Sequence, residues 1–236
     1  GRYVSIVLTI VRMYPMDNRK LKNLLYEQVA RIGKAVSSPI RLELLEILCQ
    51  GDKSVEQLAR ATDISVKLAS AHLKALKAAR LVESQRHGKH IHYRLTDPQV
   101  ADLWVALRDS AEARLTSLQA AMKDLVAHPD ELAPVSGKAL LAQARRGEIV
   151  VIDVRPESEY RTAHLPHARS IPLTELRARL GDLPKGKPVV AYCRGPFCLM
   201  AKEAVALLNK KGFKATRFEL GVAEWRASGL PLASDA

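Results

Sequence analysis

The sequence predicts a mainly helical domain followed by an α/β domain with a parallel sheet. Three observations predict it. An apolar helical periodicity runs through residues 98–127, carried by Val100, Leu103, Trp104, Leu107, Ala111, Leu115, Leu118, Met122 and Leu125. It stops at His128-Pro129-Asp130-Glu131-Leu132-Ala133-Pro134, where two prolines end a helix and stiffen a connector. Beyond that point come β-branched runs, Ile149-Val150-Val151-Ile152-Asp153-Val154 and Val189-Val190-Ala191-Tyr192, typical of strands buried on both faces. The domains are placed at 16–127 and 136–236, with a linker at 128–135.

Composition narrows the function. The chain has 236 residues, 47% hydrophobic and 26% charged, which excludes a disordered chain and a multi-span membrane protein. Lysine and arginine number 37 against 25 acids, a formal charge of +12, so a polyanionic partner is expected. The cysteines are Cys49, Cys193 and Cys198, too few and too odd for a disulfide framework, which points to a reducing cytoplasm. Val4 to Val11 is too short an apolar run to span a bilayer. Residues 1–15 read as an upstream extension, with Met16 a natural start. No membrane partner, cofactor or metal is expected.

The first domain reads as helix 20–36, helix Pro39–Gln50, short helix Val55–Ala61, helix Val66–Ala79, a hairpin, and the long helix 98–127. Ser38, Ser54 and Ser65 are suited to N-caps, and Pro39 to a first helical position. Two short helices joined by Thr62-Asp63-Ile64 have the spacing of a helix-turn-helix. The second of them is expected to bury Leu68, Ala69, Leu73 and Leu76. Its other face offers Lys67, Ser70, Ala71, Lys74 and Lys77: small residues for close approach to a groove, lysines for phosphates, and a hydroxyl for a base edge. His72 lies between the faces and suits packing as well as a phosphate contact. Residues 81–86 and 90–95 alternate about a His87-Gly88-Lys89 turn, with Ile91, Tyr93 and Leu95 expected inward and His90, His92 and Arg94 outward. With Arg86, His87, Lys89 and His90 this is a wing with a basic tip. From Ile64 to Arg94 there are seven Lys/Arg and one acid, so half of the +12 excess sits here and duplex DNA is the expected polyanion.

These residues resemble the ArsR/SmtB family of winged-helix repressors. The similar pieces are Ser38-Pro39-Ile40-Arg41-Leu42, Ser54-Val55-Glu56-Gln57-Leu58-Ala59, Ser65-x4-Ser70-x-His72-Leu73-x2-Leu76, Leu81-Val82 and Gly88-Lys89-x3-Tyr93-x-Leu95. The resemblance implies a homodimer on an inverted-repeat operator, paired through the first helix and residues 98–127. The family's metal ligands are missing. The third helix starts Ser54-Val55-Glu56 without Cys-x-Cys, Gln99 follows Asp97, and Ser110 and Ala113 stand where further ligands would be. Cys49 alone holds no metal and reads as a buried free thiol.

In the second domain, Val189 to Tyr192 ends at Cys193, followed by Arg194-Gly195-Pro196-Phe197-Cys198 and a helix from about Leu199. A thiol at the carboxyl end of a parallel strand lies where α/β folds bind ligands. Inward amides and a helix N-terminus there would lower the Cys193 pKa and make a nucleophilic thiolate, with Arg194 attracting an anionic donor. Gly195 and Pro196 permit the tight curve. This region looks like a rhodanese domain. Asp153-Val154-Arg155 with Glu157, Glu159 and Tyr160 resembles one signature. Ala163-His164-Leu165-Pro166-His167-Ala168 resembles a Gly-His-Ile-Pro-Gly-Ala turn, and Leu220-Gly221-x3-Trp225 with Gly229-Leu230-Pro231 the closing motif. The resemblance implies that Cys193 accepts sulfane sulfur as a persulfide. Asp153 and Arg155 are expected to pair beside the loop, and Trp225 to be core. Leu199 occupies the place of a Cys-x5-Arg arginine, which disfavours phosphoryl chemistry. Cys198 either resolves Cys193 into a disulfide or is an unreactive helix-start residue.

The expected protein is therefore a DNA-binding repressor that handles small sulfur or oxidant species through Cys193 and Cys198. A sulfurtransferase held on DNA, and a repressor in which arsenite bridges the two thiols, are the alternatives.

Overall fold

A computed structural model describes residues 17–125 and 132–235. The expectations for residues 1–15 and most of the linker fall outside the described residues.

The first domain is built on α1 (Asn18–Val36), α2 (Pro39–Leu48), α3 (Val55–Ala61), α4 (Val66–Ala78) and α5 (Pro98–Arg114). Strands β1 (Lys53–Ser54), β2 (Val82–His87) and β3 (His90–Leu95) form an antiparallel sheet in the order β1-β3-β2. Ser54 and Ser65 cap their helices with their side chains, while Ser38 stands at the N-cap of α2 without a side-chain cap hydrogen bond and Pro39 takes the first helical position. Ser54 Oγ accepts from Gln57 N–H, and the Gln57 side chain returns a bond to Ser54 N–H. Ser65 Oγ accepts from Leu68 N–H. Asp63 turns the chain between α3 and α4 at φ 51°, a conformation aspartate tolerates. Leu44, Leu45, Leu58, Ala69, Leu73 and Leu76 make the centre of the core. Each leucine there contributes roughly 1.5–3 kcal/mol by leaving water.

Two expected inward residues are not inward. Leu68 is 42% exposed and Ile91 46% exposed. The buried stripe of α4 is Ala69, Leu73 and Leu76, at steps of four and three; Leu68 is turned about 100° from it. Ile91 pairs with Arg86 near the hairpin tip, beyond the reach of the core, whereas Tyr93 lower on the same strand is buried.

The long helix is also not continuous. Leu115 leaves helical geometry at φ −102°, ψ 104°, separating α5 from α6 (Thr116–Leu125). The apolar series does not form one stripe either: Val100 and Trp104 are buried, while Leu103, Leu107 and Leu115 are exposed.

The second domain begins with a helix, α7 (Gly137–Arg145). Then follow β4 (Val150–Asp153), α8 (Glu157–Thr162), β5 (Arg169–Ser170), α9 (Leu173–Leu176), β6 (Val189–Tyr192), α10 (Met200–Lys210), β7 (Ala215–Arg217) and α11 (Val222–Ala227). The four strands are parallel, in the order β5-β4-β6-β7. Every residue of β4 and β6 is buried, because helices cover both faces. Trp225 is fully buried and its Nε1–H donates to Pro231 O at 2.7 Å. No helix among the described residues is long and apolar enough to cross a membrane.

Candidate functional site

Two surfaces carry chemistry. The first is α4 with the β2–β3 hairpin. Lys67, Ala71, Lys74 and Lys77 are exposed on α4, and Ser70 and His72 are partly exposed beside them. Lys77 Nζ donates to Ser84 Oγ at 2.6 Å, tying the helix to the base of the hairpin. Arg86 Nε donates to Gly88 O at 3.0 Å and braces the tip, where Gly88 takes φ 60°. His87 stacks on His92 with centroids 4.8 Å apart, and His90 Nδ1 lies 3.4 Å from Glu56 Oε2. Arg94 pairs with Glu83 across the hairpin. The exposed cations of helix and wing thus point into solvent as one basic surface.

The second surface is the loop 193–198 at the carboxyl end of β6. Cys193 is 3% exposed and Cys198 is partly exposed; all three cysteines are free thiols. Cys193 Sγ donates to Cys198 O at 3.4 Å. Gly195 holds φ 155°, and a Cβ there would lie 3.1 Å from Glu224 Oε1. Gly221 of the closing motif is packed more tightly: a Cβ there would fall 2.0 Å from Arg194 O. Arg194 does not face open solvent. Its Nε and Nη2 donate to Glu159 at 3.1 and 2.8 Å.

The two thiols divide one ionisation between them. A side-chain hydrogen bond between the two thiols, and then burial, push Cys193 well above the ordinary thiol range. The same bond draws Cys198 down to about 6, helped by backbone hydrogen bonds from Arg194 and Met200 and by the Arg194 charge. The two thiols titrate as a pair, with one proton held between Cys193 and Cys198 and the thiolate favoured on the Cys198 side. The physical reason is position: Cys198 stands at the α10 N-terminus, less enclosed and closer to the cation.

Behind the loop, Asp153 and Arg155 form a fully buried pair with Nη2 to Oδ2 at 2.5 Å. Tyr192 OH also donates to Asp153 Oδ2. Arg155 Nη1 donates to Gln50 Oε1 at 2.7 Å, and Gln50 belongs to the first domain. Lys53, also of the first domain, lies 3.4 Å from Glu159 Oε1. Arg108 of α5 donates to Glu224 of α11, both side chains buried. Phe197 packs edge-on against Trp104 with centroids 6.1 Å apart, in a cluster with Val105, Ala223, Leu42 and Cys49. Burial pushes the Cys49 thiol up to about 12, so it is inert at neutral pH. The DNA-reading fold therefore packs directly on the thiol loop.

Two family profiles match the chain: the arsR family of bacterial regulatory proteins over residues 38–84, and the rhodanese-like domain over residues 136–228. The HTH-type transcriptional regulator Rv0324 of Mycobacterium tuberculosis is 39% identical over 211 residues, covering 89% of this chain and 92% of that protein. The chain belongs to the ArsR-type regulators that carry a rhodanese-like domain. A tRNA sulfurtransferase of Desulfurococcus amylolyticus is 36% identical over 103 residues, 43% of this chain and 19% of that protein. A solved homodimeric winged helix-turn-helix DNA-binding domain from Mycobacterium bovis, described as a possible ArsR-family regulator, is 40% identical with a TM-score of 0.39; it covers 42% of this chain and 91% of that one. By its family this chain is a transcriptional regulator with a rhodanese-like domain.

Sequence reasoning missed Arg108, Glu224, Gln50, Lys53 and Glu46. Four of these are buried charged or polar residues whose partners lie on the other domain, and no periodicity within either domain marks them. Arg108 carried one signal, a cation four residues after Trp104 on the same helical face.

Glu46 adds a pH dependence. Burial, then the nearby Cys198 and Glu224 charges, raise it to about 7, and its Oε1 has no hydrogen-bond partner. A carboxyl whose folded pKa is raised contributes stability below its unfolded value of about 4.5, lost as pH rises through about 7. The regulator should therefore lose up to about 3 kcal/mol of folding stability from this group between pH 4.5 and 8. Glu46→Gln should flatten that part of the profile. Denaturant titrations at several pH values check it, and parallel wild-type and variant profiles would refute it.

Proposed function

We propose that the regulator is an operator-binding repressor that reacts with sulfane sulfur or oxidants through Cys193 and Cys198. The observation that carries this reading is the contact of Phe197 with Trp104. Phe197 lies between the two cysteines, and Trp104 lies on α5. Any bond that redraws the loop must disturb that contact.

The chemistry needs one thiolate and one thiol. The thiolate attacks the terminal sulfur of an inorganic polysulfide; a new S–S bond forms and the shortened polysulfide leaves as an anion. The second thiol loses its proton and attacks the cysteine sulfur of the persulfide, expelling hydrosulfide. The pair is oxidised by two electrons to a disulfide, and the sulfane sulfur is reduced to sulfide. The 193–198 loop then changes shape.

α4 enters a major groove and the wing tip follows the phosphates, with Lys67, Ser70, Ala71, His72, Lys74, Lys77, Arg86, His87, Lys89 and His90 as the contact set. A homodimer pairs through α1 and α5. Leu24, Leu25, Tyr26 and Val29 are exposed on α1, and Leu103 and Leu107 on α5, which supports that pairing.

Operator binding by fluorescence anisotropy, before and after polysulfide treatment, tests the reading. Wild type should weaken by about tenfold or more, a shift of about 1.4 kcal/mol, while Cys193→Ser and Cys198→Ser should not respond. Equal affinity in every state would reject sulfur sensing. Lys74→Glu should weaken binding in all states and lower the salt slope by about 1; unchanged binding would reject α4 as the reading helix. A second reading, catalytic sulfur transfer, is supported by the backbone hydrogen bonds to Cys193 from Gly195 and Ala201. Thiosulfate-to-cyanide turnover that disappears in Cys193→Ser would favour it.

A further inference from the structure

The cation Arg194, whose charge favours the Cys198 thiolate, is itself held by a carboxylate that a residue of the other domain shares. Glu159 is fully buried and accepts two hydrogen bonds from Arg194. Lys53 Nζ sits 3.4 Å from the same Oε1 that Arg194 approaches at 2.8 Å. Lys53 is 11% exposed, so this triad is largely shielded from water. The charged groups facing it are Arg155, on Asp153 behind the loop, Cys198 beside Arg194, and Glu46 of α2, whose charge acts on Arg194 and Cys198 and which titrates near 7. Lys53 reaches the triad from β1, which pairs with the wing strand β3 through Lys53–Tyr93 and Ser54–His92.

We propose that Lys53 of the winged-helix domain is a positioning residue for the rhodanese-like loop: by sharing Glu159 it leaves Arg194 available to the loop thiolate, and so sets thiol reactivity from the DNA-reading side. This rests on the loop thiols being the reactive groups.

The electrostatics run in one direction. With Lys53 present, the Glu159 charge is divided between two cations. Burial alone would raise Glu159, yet Arg194, Lys53 and Arg155 together hold its carboxyl below the usual range. Burial lowers Lys53, and the Glu159 charge opposes that. Removing Lys53 leaves Arg194 as the only cation in contact with Glu159, with Arg155 acting from farther off, which strengthens the Arg194 pair and weakens the field at Cys198. The site also loses one positive charge in a poorly screened region. Both effects disfavour the thiolate. Because Lys53 is anchored to the wing strand, contacts that shift the wing shift the triad, and coupling between two sites is reciprocal.

The test is the pH profile of alkylation of the full-length regulator by iodoacetamide, read separately at Cys193 and Cys198 by peptide mass. In this reaction the thiolate forms an S–C bond and iodide leaves, so the rate follows the thiolate population. Lys53→Met should move the midpoint at Cys198 to higher pH and slow alkylation at pH 7 by about threefold or more. Lys53→Arg should restore the wild-type profile. Lys53→Gln serves if the methionine variant does not fold, with the same shift expected. A Lys53→Met or Lys53→Gln profile superimposed on wild type, with an unchanged far-UV spectrum, would overturn the proposal. So would a shift that Lys53→Arg does not rescue, since a cation would then not be the requirement. No operator or sulfur donor enters this experiment, so its failure and the failure of sulfur-dependent operator release are separate results.

Discussion

Arg108→Met is expected to lower the stability of the regulator by about 3–5 kcal/mol. Arg108 and Glu224 are 3% and 5% exposed at the side chain, and they join α5 to α11 across the domain boundary. Two buried charges of opposite sign offset each other's loss of hydration. Deleting one leaves the other in a poorly polar setting, which is why breaking such a pair costs more than the pair contributes. Glu224 would keep only the Gly221 N–H at 2.8 Å. Methionine fills a similar volume, so the loss is mainly electrostatic. The double variant Arg108→Met, Glu224→Gln should recover most of the stability, because the orphaned carboxylate is gone. Chemical denaturation of wild type, both single variants and the double variant measures this coupling. Additive losses would show that the pair does not tie the domains together.

Gly221→Ala is expected to displace the thiol loop. The added Cβ would lie 2.0 Å from Arg194 O, 2.3 Å from Arg194 C and 2.8 Å from Gly195 N. All three are backbone atoms, so no side-chain rotation relieves the overlap. The backbone angle at Gly221 is not the constraint, since its φ of −94° suits any residue. The requirement is close approach, and overpacking of this kind costs about 1–3 kcal/mol, occasionally more. Moving Arg194 and Gly195 would also alter the hydrogen bond between the two cysteines. Cys198 alkylation should then follow an ordinary thiol profile, with a midpoint above the value of about 6 that the intact loop supports. Retention of the wild-type alkylation profile and melting temperature in Gly221→Ala would contradict this packing.

These expectations differ in how visible they were beforehand. Gly221 stood out because it falls in a pattern around Trp225, and the structure supplies the reason for the glycine. His167 is similar: it occupies a glycine position of the resembled turn, and it holds φ 65°. Arg108 and Glu224 were invisible as a pair, since they are 116 positions apart and lie in different domains.

The same division holds for the regulator as a whole. The sequence by itself determined the two-domain order, the caps at Ser54 and Ser65, the β-branched strands and the placement of Cys193 at a strand end. Each depends on neighbours within a few residues, where propensity and periodicity act. It also located the basic helix and wing, because charge clustering survives any arrangement of the rest. Tertiary structure alone decided that the helix breaks at Leu115, that Leu68 and Ile91 are exposed, and that Cys193 and Cys198 titrate as a coupled pair. It alone brought Gln50, Lys53, Trp104 and Arg108 onto the rhodanese-like domain. Burial and ionisation depend on what lies across space, and packing between two domains leaves no period in the chain.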